Sequence, residues 1–212
     1  MPCKICTFDT ILWHNSALNT LYHFCPHCEC ISLDTSLYLS PHLEKKIYDH
    51  HHNSLENEGY VRMFEAFLDF FWEEMSCRKT ALDFGSGPTP VLSVLLQRRG
   101  LDVVGYDKFY QPNDTFKERS YDLITSTEVF EHLQDPLNTL SFLTEHLNEG
   151  GIIALMTLFH PQESSAFFTW WYRRDKTHIT FFTPKTIQIM AKMCGLEMIK
   201  TDEKRIAILK KR

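Results

Sequence analysis

The chain has 212 residues, 43% of them hydrophobic, which is enough to bury one core and a small appendage. A formal net charge of -5 gives no global basic field to recruit nucleic acid, although the last residues, Lys210, Lys211 and Arg212, are basic. No apolar run approaches the roughly 18 residues of a membrane span, and the start lacks a signal peptide's basic and apolar regions, so a cytoplasmic protein with no membrane partner is expected.

Five of the seven cysteines, Cys3, Cys6, Cys25, Cys28 and Cys30, fall in the first 30 residues. Two pairs have C-x-x-C spacing, Cys3 with Cys6 and Cys25 with Cys28. In a cytosolic chain this predicts one tetrahedral zinc held by those four thiolates rather than a disulfide framework. His23, His27 or Cys30 could replace one ligand. Residues 1–35 are therefore expected to form a zinc-ribbon-like segment, too small to fold without its metal. A redox C-x-x-C would open a helix of a thioredoxin-like unit, and none is present.

Residues 36–78 read as helices. Ser40-Pro41 is a helix start with Glu44 in the first turn. The run His50-His51-His52 resembles a tag, but three neighbours cannot all face one ion from a regular helix. Tyr60, Met63, Phe64, Phe67, Leu68, Phe71 and Met75 follow at helical spacing, a core-packing stripe.

Residues 79–212 carry the sheet pattern, starting with TALDFGSGPTPVLSVLLQRRG at 80–100. An apolar strand runs into two close glycines and then an amphipathic helix, with Thr89 expected as its N-cap, Pro90 as its first residue and Gly100 as its stop. Gly85 and Gly87 allow a sharp turn and close approach to a ligand. The string Asp83-Phe84-Gly85-Ser86-Gly87 resembles the first motif of class I S-adenosylmethionine-dependent methyltransferases. Pro88 and Pro90 interrupt the G-x-G-x-x-G pattern that would seat a pyrophosphate. The resemblance implies an α/β fold: a Rossmann-like open sheet, mostly parallel, ending in an antiparallel hairpin.

A second strand, 102–106, ends at Asp107, a carboxylate placed to accept ribose hydroxyls. Only residues 108–120 separate it from the next strand, too few for a helix and a further strand, so the family's third strand is expected to be trimmed or missing. Phe109, Tyr110 and Phe116 are the substitutes that could pack on a purine, or they could fill the core. Strand 121–126 then runs into Thr127-Glu128-Val129-Phe130-Glu131-His132, which resembles the family's E-V-x-E-H signature. Asp135-Pro136 starts a helix that Gly150-Gly151 is expected to end, and Ile152 to Leu158 reads as a fifth strand. The aromatic run from Phe167 to Tyr172 leads into Asp175, Thr177 and His178 and resembles the W-Y-x-x-D-x-T-H segment of many small bacterial methyltransferases. It could form a lid or acceptor pocket, or plug one end of the sheet. Thr183-Pro184 opens a last helix, Gly195 closes it, and 196–209 can form two strands.

The resemblance covers residues 45–212. It implies a methyltransferase that binds S-adenosylmethionine through Asp83, Gly85, Ser86, Gly87, Asp107, Lys108, Phe109 and Glu128. His178 and His132 are the candidates for acting on the acceptor near neutral pH, with a structural role as the alternative for each. The acidic charge and the aromatic lid favour a small-molecule acceptor. The alternatives are an RNA or protein methyltransferase gripping its substrate with the ribbon, which a basic surface around Lys4 and the sheet's mouth would support, and a donor-binding protein without catalysis.

Overall fold

Alternation along the central strands decides the layering. In a strand, successive side chains point to opposite faces. Ile153 and Leu155 pack on one side with Leu140, Leu143, Ile187 and Met190, while Ile152, Ala154 and Met156 pack on the other with Phe64, Phe67, Leu92 and Leu95. A strand apolar on both faces must therefore be covered twice, and the result is a helix–sheet–helix sandwich. The computed structural model describes residues 1–16, 18–49, 54–75 and 78–212; the histidine run 50–52 lies outside them.

The principal sheet has six strands: β4 (Thr80–Phe84), β5 (Asp102–Tyr106), β6 (Tyr121–Thr127), β7 (Leu147–Met156), β9 (Leu196–Thr201) and β10 (Ile206–Lys211). Their order is β5-β4-β6-β7-β10-β9. The first four are parallel, and β10 runs antiparallel to both β7 and β9. Helices α2 (Glu58–Phe71) and α3 (Val91–Arg98) cover one face, and α4 (Pro136–Glu145) and α6 (Pro184–Met193) the other. Between β5 and β6 lies only a 3-10 turn, Asp114–Glu118, so β5 is the sheet's edge and the third strand is missing as expected.

The N-terminal segment does not stand apart. Its strands β1 (Ile11–Asn15), β2 (Thr20–Phe24) and β3 (Ile31–Leu33) form a second, antiparallel sheet with β8 (Thr180–Phe181), a strand from the far end of the chain. The turn after Cys25 is fastened to the main body at several points. The Thr186 hydroxyl donates to the Cys28 carbonyl at 2.8 Å. Glu29 accepts from Gln162, Thr183 and Lys185 at 3.0 Å each. The His160 ring nitrogen Nε2 donates to the Glu29 carbonyl at 2.7 Å.

Two boundaries differ from expectation. Helix α3 begins at Val91, with Pro90 in the cap position and no side-chain cap, so Thr89 is not the N-cap. Pro90 takes φ -79 and ψ 64, outside the helical region, so it stands before the helix rather than as its first residue. Gly150 and Gly151 do not end α4, which stops at Glu145 with His146 as its cap; they lie inside β7, which starts at Leu147 and ends at Met156 rather than spanning 152–158. The pairing of β6 with β7 shifts register there, and Gly150 takes φ +71. A Cβ on Gly151 would lie 2.7 Å from the Asn148 carbonyl oxygen, so the irregular turn requires glycine.

Other boundaries match the sequence. Ser40 caps α1 (Pro41–Tyr48), and Asp135 caps α4. Thr183 and Thr186 form a reciprocal box at the start of α6. Among the described residues no helix is long and apolar enough to cross a membrane.

Thr186 is fully buried and serves both the α6 cap and the cysteine-bearing turn. Thr186→Val keeps its shape and removes both bonds, so it should lower unfolding free energy by about 1–3 kcal/mol in urea titration. An unchanged midpoint would mean that the main body draws no stability from the N-terminal turn.

Candidate active site

The two loops that follow β4 and β6 meet at glycine. Gly85 has φ +89, and a Cβ there would sit 2.2 Å from a methyl carbon of Val129. Gly87, at φ +68, faces open space, and its N–H donates to Asp107 Oδ2 at 3.0 Å. The other Asp107 oxygen accepts from the Phe109 and Tyr110 amides at 2.8 and 3.0 Å. A carboxylate accepts about four hydrogen bonds, so one acceptor position remains for a ligand.

These loops open on a cavity of about 850 Å³ at the carboxyl ends of the parallel strands. In open α/β sheets this is where ligands bind. The cavity brings together Asp83, Gly85, Ser86, Gly87, Asp107, Lys108, Phe109, Glu128, His132 and His178. Not all are equally available. Lys108 donates to Glu44 of α1 at 2.7 Å and lies over the Phe109 ring, so its ammonium latches α1 to the β5 loop. Ser86 has a buried hydroxyl with no partner among the described residues. Phe109 and Tyr110 line the cavity, whereas Phe116, 1% exposed, fills the core.

Asp83 is buried at the cavity floor. It accepts from the Ser93 hydroxyl at 2.7 Å and from Thr125 at 3.2 Å. Burial outweighs those donors and pushes its pKa up to about 6. Glu128 occupies a left-handed conformation, φ +53, that a non-glycine residue rarely adopts. Its side chain keeps an open face toward the cavity, while the protein crowded around the rest of it pushes its pKa up.

The aromatic run turns out to do two things. Phe167 packs against Tyr22 of β2 and Phe181, plugging the gap between the two sheets. Trp171, 66% exposed, and Tyr172 line the cavity instead. The Tyr172 hydroxyl lies between two carboxylates, 2.7 Å from Glu128 and in a shorter contact with Glu131. Glu131 is fully buried, and burial first, then the charge of Glu128, pushes its pKa far up. The His132 ring donates through Nδ1 to the Thr177 carbonyl at 3.0 Å and packs edge-on to Tyr48 of α1. Burial lowers its pKa to about 3, so the ring is neutral at physiological pH. His178 donates through Nδ1 to the Tyr172 carbonyl at 2.8 Å.

Sequence reasoning missed Tyr48 and did not foresee that Tyr172 joins the glutamates of E-V-x-E-H. Tyr48 comes from a helix more than thirty residues upstream of the first motif, and no spacing rule links them. A basic surface around Lys4 would have supported the RNA or protein alternative; the Lys4 ammonium instead donates to the Tyr38 and Thr180 hydroxyls at 3.0 and 3.1 Å. Lys211 is likewise committed, to the Thr144 and Leu147 carbonyls, and Arg212 to Glu197.

The second cluster is sulfur. One ligand atom from each of Cys3, Cys6, Cys25 and Cys28 lies within 4.8 Å of all the others, and the pairs Cys3–Cys28 and Cys6–Cys25 are 3.5 Å apart. Four sulfurs at about 2.3 Å from a tetrahedral zinc stand roughly 3.8 Å apart, so the donor set fits that ion. Of the alternatives, the buried Cys30 thiol lies against Cys3 but outside the four-sulfur set, while the two histidines have other contacts. His23 bonds Asp34 at 2.8 Å, and His27 stacks on Phe8.

A six-stranded, mainly parallel sheet with a terminal hairpin and a cavity at its carboxyl edge defines the Rossmann-like methyltransferase architecture. A family model described as a methyltransferase domain matches residues 48–201, and the chain belongs to that family. Solved structures of similar fold include the mitomycin 7-O-methyltransferase MmcR, with TM-score 0.54 and 11% identity over 80% of this chain and 60% of that one. They also include the magnesium protoporphyrin IX methyltransferase ChlM from Synechocystis PCC 6803 with bound SAH, with TM-score 0.53 and 14% identity over 79% and 92%. The plantazolicin methyltransferase BpumL in complex with SAH gives TM-score 0.54 and 14% identity over 84% and 93%. No curated protein matches this sequence.

Asp83 provides a test of the cavity floor. A carboxyl with a raised folded pKa opposes folding when it ionises, so its stabilising contribution is complete below its ordinary 3.8 and lost as pH rises through about 6. Asp83→Asn does not titrate. Relative to the natural protein it should gain up to roughly 3 kcal/mol of stability between about pH 4 and pH 8 in urea unfolding. Parallel pH profiles for the two proteins would show that the carboxyl is not desolvated.

Proposed function

We propose that the protein is an S-adenosylmethionine-dependent methyltransferase acting on a small-molecule acceptor, with a structural zinc in its N-terminal segment. The observation that carries this reading is the convergence of Asp83, the Gly85-Ser86-Gly87 turn, Asp107 and Glu128 on one cavity at the sheet's carboxyl edge. The donor fits what the residues leave open. Asp107 retains one acceptor position for a ribose hydroxyl, Ser86 has a hydroxyl with no partner among the described residues, and Gly87 leaves space for close approach. Phe109 and Tyr110 offer ring faces to a purine, and Glu128 offers negative charge to the cationic methionine end. Methyl transfer from a sulfonium is an in-line displacement that needs alignment, desolvation and an electron-rich acceptor, so no nucleophilic side chain is required.

A small acceptor is supported by the cover over the cavity, where Tyr48 of α1 and Trp171 of the connection face the same space. Lys4 and Lys211 are turned onto groups of the protein itself, and Arg212 is paired with Glu197 at the surface, which works against an RNA-gripping surface. The similar structures named for mitomycin and a magnesium protoporphyrin lean the same way. Incubation with labelled methyl donor and fractionated cell extract should place label in metabolites. Label in RNA or protein would replace the acceptor assignment, and no label at all would leave a donor-binding protein without catalysis.

Asp107→Ala should weaken S-adenosylmethionine binding by about 1–3 kcal/mol in calorimetric titration, through loss of the ribose partner and of the Gly87 tether. Unchanged affinity would remove Asp107 from the donor site.

Cys3, Cys6, Cys25 and Cys28 would hold the zinc, whose closed four-thiolate shell is structural rather than catalytic. Freshly prepared protein should contain about one zinc per chain, and Cys25→Ser should lose it together with thermal stability, because the cluster and the main core are continuous. Metal analysis showing zinc-free protein of full stability would contradict this.

A further inference from the structure

The charged groups around the cavity leave one cation over. Among the described residues, two lysine or arginine side chains line it, Lys108 and Arg174. Lys108 is committed to Glu44 at 2.7 Å. Arg174 is exposed, and its guanidinium meets no acceptor, carboxylate or ring among the described residues; only its backbone N–H is bonded, to the Trp171 carbonyl at 2.9 Å. The acid beside it in the chain is turned away. Asp175 accepts from the Thr177 amide and hydroxyl at 2.8 and 2.6 Å.

The turn that carries Arg174 is nonetheless held firmly. The neighbouring Arg173 is buried, and its Nε donates to the Phe167 and Phe168 carbonyls at 3.1 and 2.9 Å. Tyr172 is anchored between Glu128 and Glu131. Tyr172–Arg174 is a 3-10 turn with Trp171 as its cap, and in such a turn side chains three residues apart lie one above the other. A fixed piece of backbone thus presents an indole and a guanidinium together, and both line the cavity. Trp171 meets Tyr172 edge-on at 5.5 Å, which leaves its ring face unused by that contact. A guanidinium is a planar fork that matches a carboxylate or phosphate, and an indole face suits a flat apolar ring.

We propose that Arg174 and Trp171 recognise the acceptor, and that the acceptor is an aromatic molecule bearing an oxyanion, either a carboxylate or a phosphate ester. The anion takes the Arg174 fork at the cavity mouth, the ring lies against Trp171, and the rest of the molecule reaches inward toward Glu128. Arg174 is a specificity-determining residue in this arrangement: a neutral analogue fills the same space but leaves the guanidinium without its charge-assisted bonds. The acceptor class rests on the methyl-transfer reading; the anion-binding pair does not.

The test uses the full chain, purified without chelator, labelled with nitrogen-15 and kept in excess S-adenosylhomocysteine. The Trp171 indole N–H signal, assigned by its disappearance in Trp171→Phe, reports on the cavity mouth. Benzoate and phenyl phosphate are the anionic probes, and benzamide is the neutral one. At least one anion should shift the signal saturably in the millimolar range, and the tighter anion should bind at least about fivefold better than benzamide. Arg174→Gln should abolish that preference. Lys176→Gln should keep it, since Lys176 is exposed but does not line the cavity. No saturable shift by either anion up to tens of millimolar overturns the proposal without any variant having to fold. So do equal affinities for anion and benzamide in the natural protein, a preference that survives Arg174→Gln, and a preference lost equally in Lys176→Gln.

The donor's own carboxylate is the rival source of an anion. Calorimetry should give the same S-adenosylmethionine affinity for Arg174→Gln as for the natural protein, and a loss of about fivefold or more would move Arg174 to the donor and overturn the acceptor assignment. The metabolite labelled from cell extract should be retained on an anion exchanger at neutral pH; a neutral or cationic product overturns the acceptor class. Donor binding without the anion preference defeats only this inference, and the preference without donor binding defeats only the methyl-transfer reading.

Discussion

The contact between Tyr172 and Glu131 holds the functional end of the molecule together. Glu131 sits on the 3-10 turn Phe130–His132, which follows β6 directly, and Tyr172 lies on the connection between β7 and β8. Around this contact the same two segments exchange three more bonds. The Ile179 amide donates to the Glu131 carbonyl, His132 to the Thr177 carbonyl, and the Thr180 hydroxyl to the Leu133 carbonyl. Because Thr180 and Phe181 form β8, the strand that pairs with β3, the register of the N-terminal sheet against the main body depends on this junction.

A polar junction at this depth has consequences for electrostatics. Burying carboxylates in low-dielectric surroundings disfavours their charged form, and two beside each other disfavour it further. Glu128 and Glu131 share one phenol hydroxyl, which has a single proton to give. The protonated form of the buried Glu131 is therefore favoured, and of the two only Glu128 lines the cavity where a sulfonium donor would lie. Perturbed groups in a cleft also occur in purely structural networks. Here they coincide with a positive φ at Glu128 and an oxygen of Glu131 without a partner among the described residues, two departures from ordinary folding economy in one short turn.

The family motifs were legible because each is local. Asp83 to Gly87 is a strand followed by a turn, and the backbone there needs glycine for reasons that the sequence states. The absent third strand was also legible, since thirteen residues cannot hold a crossover helix and a strand. The start of α3 and the position of Gly150-Gly151 were misjudged because the backbone at Pro90 and a bulge in β7 set them, and helix-capping statistics describe neither. The double role of the aromatic run was undecidable from spacing: Phe167 and Trp171 are four residues apart, yet one is fully buried and the other is exposed at the cavity mouth.

The sequence by itself determined the strand and helix periodicities, the two C-x-x-C pairs and the order of the methyltransferase motifs, because these depend on residues within one turn or one strand of each other. Only the tertiary structure decided which distant groups meet. It set Cys3 and Cys6 beside Cys25 and Cys28, turned Lys4 inward onto Thr180, brought Tyr48, His132, Tyr172 and His178 around one cavity, and buried Glu131 against Tyr172. Those meetings are fixed by chain crossovers and by the pairing of β3 with β8, and contacts across more than a hundred residues leave no periodic trace in the sequence.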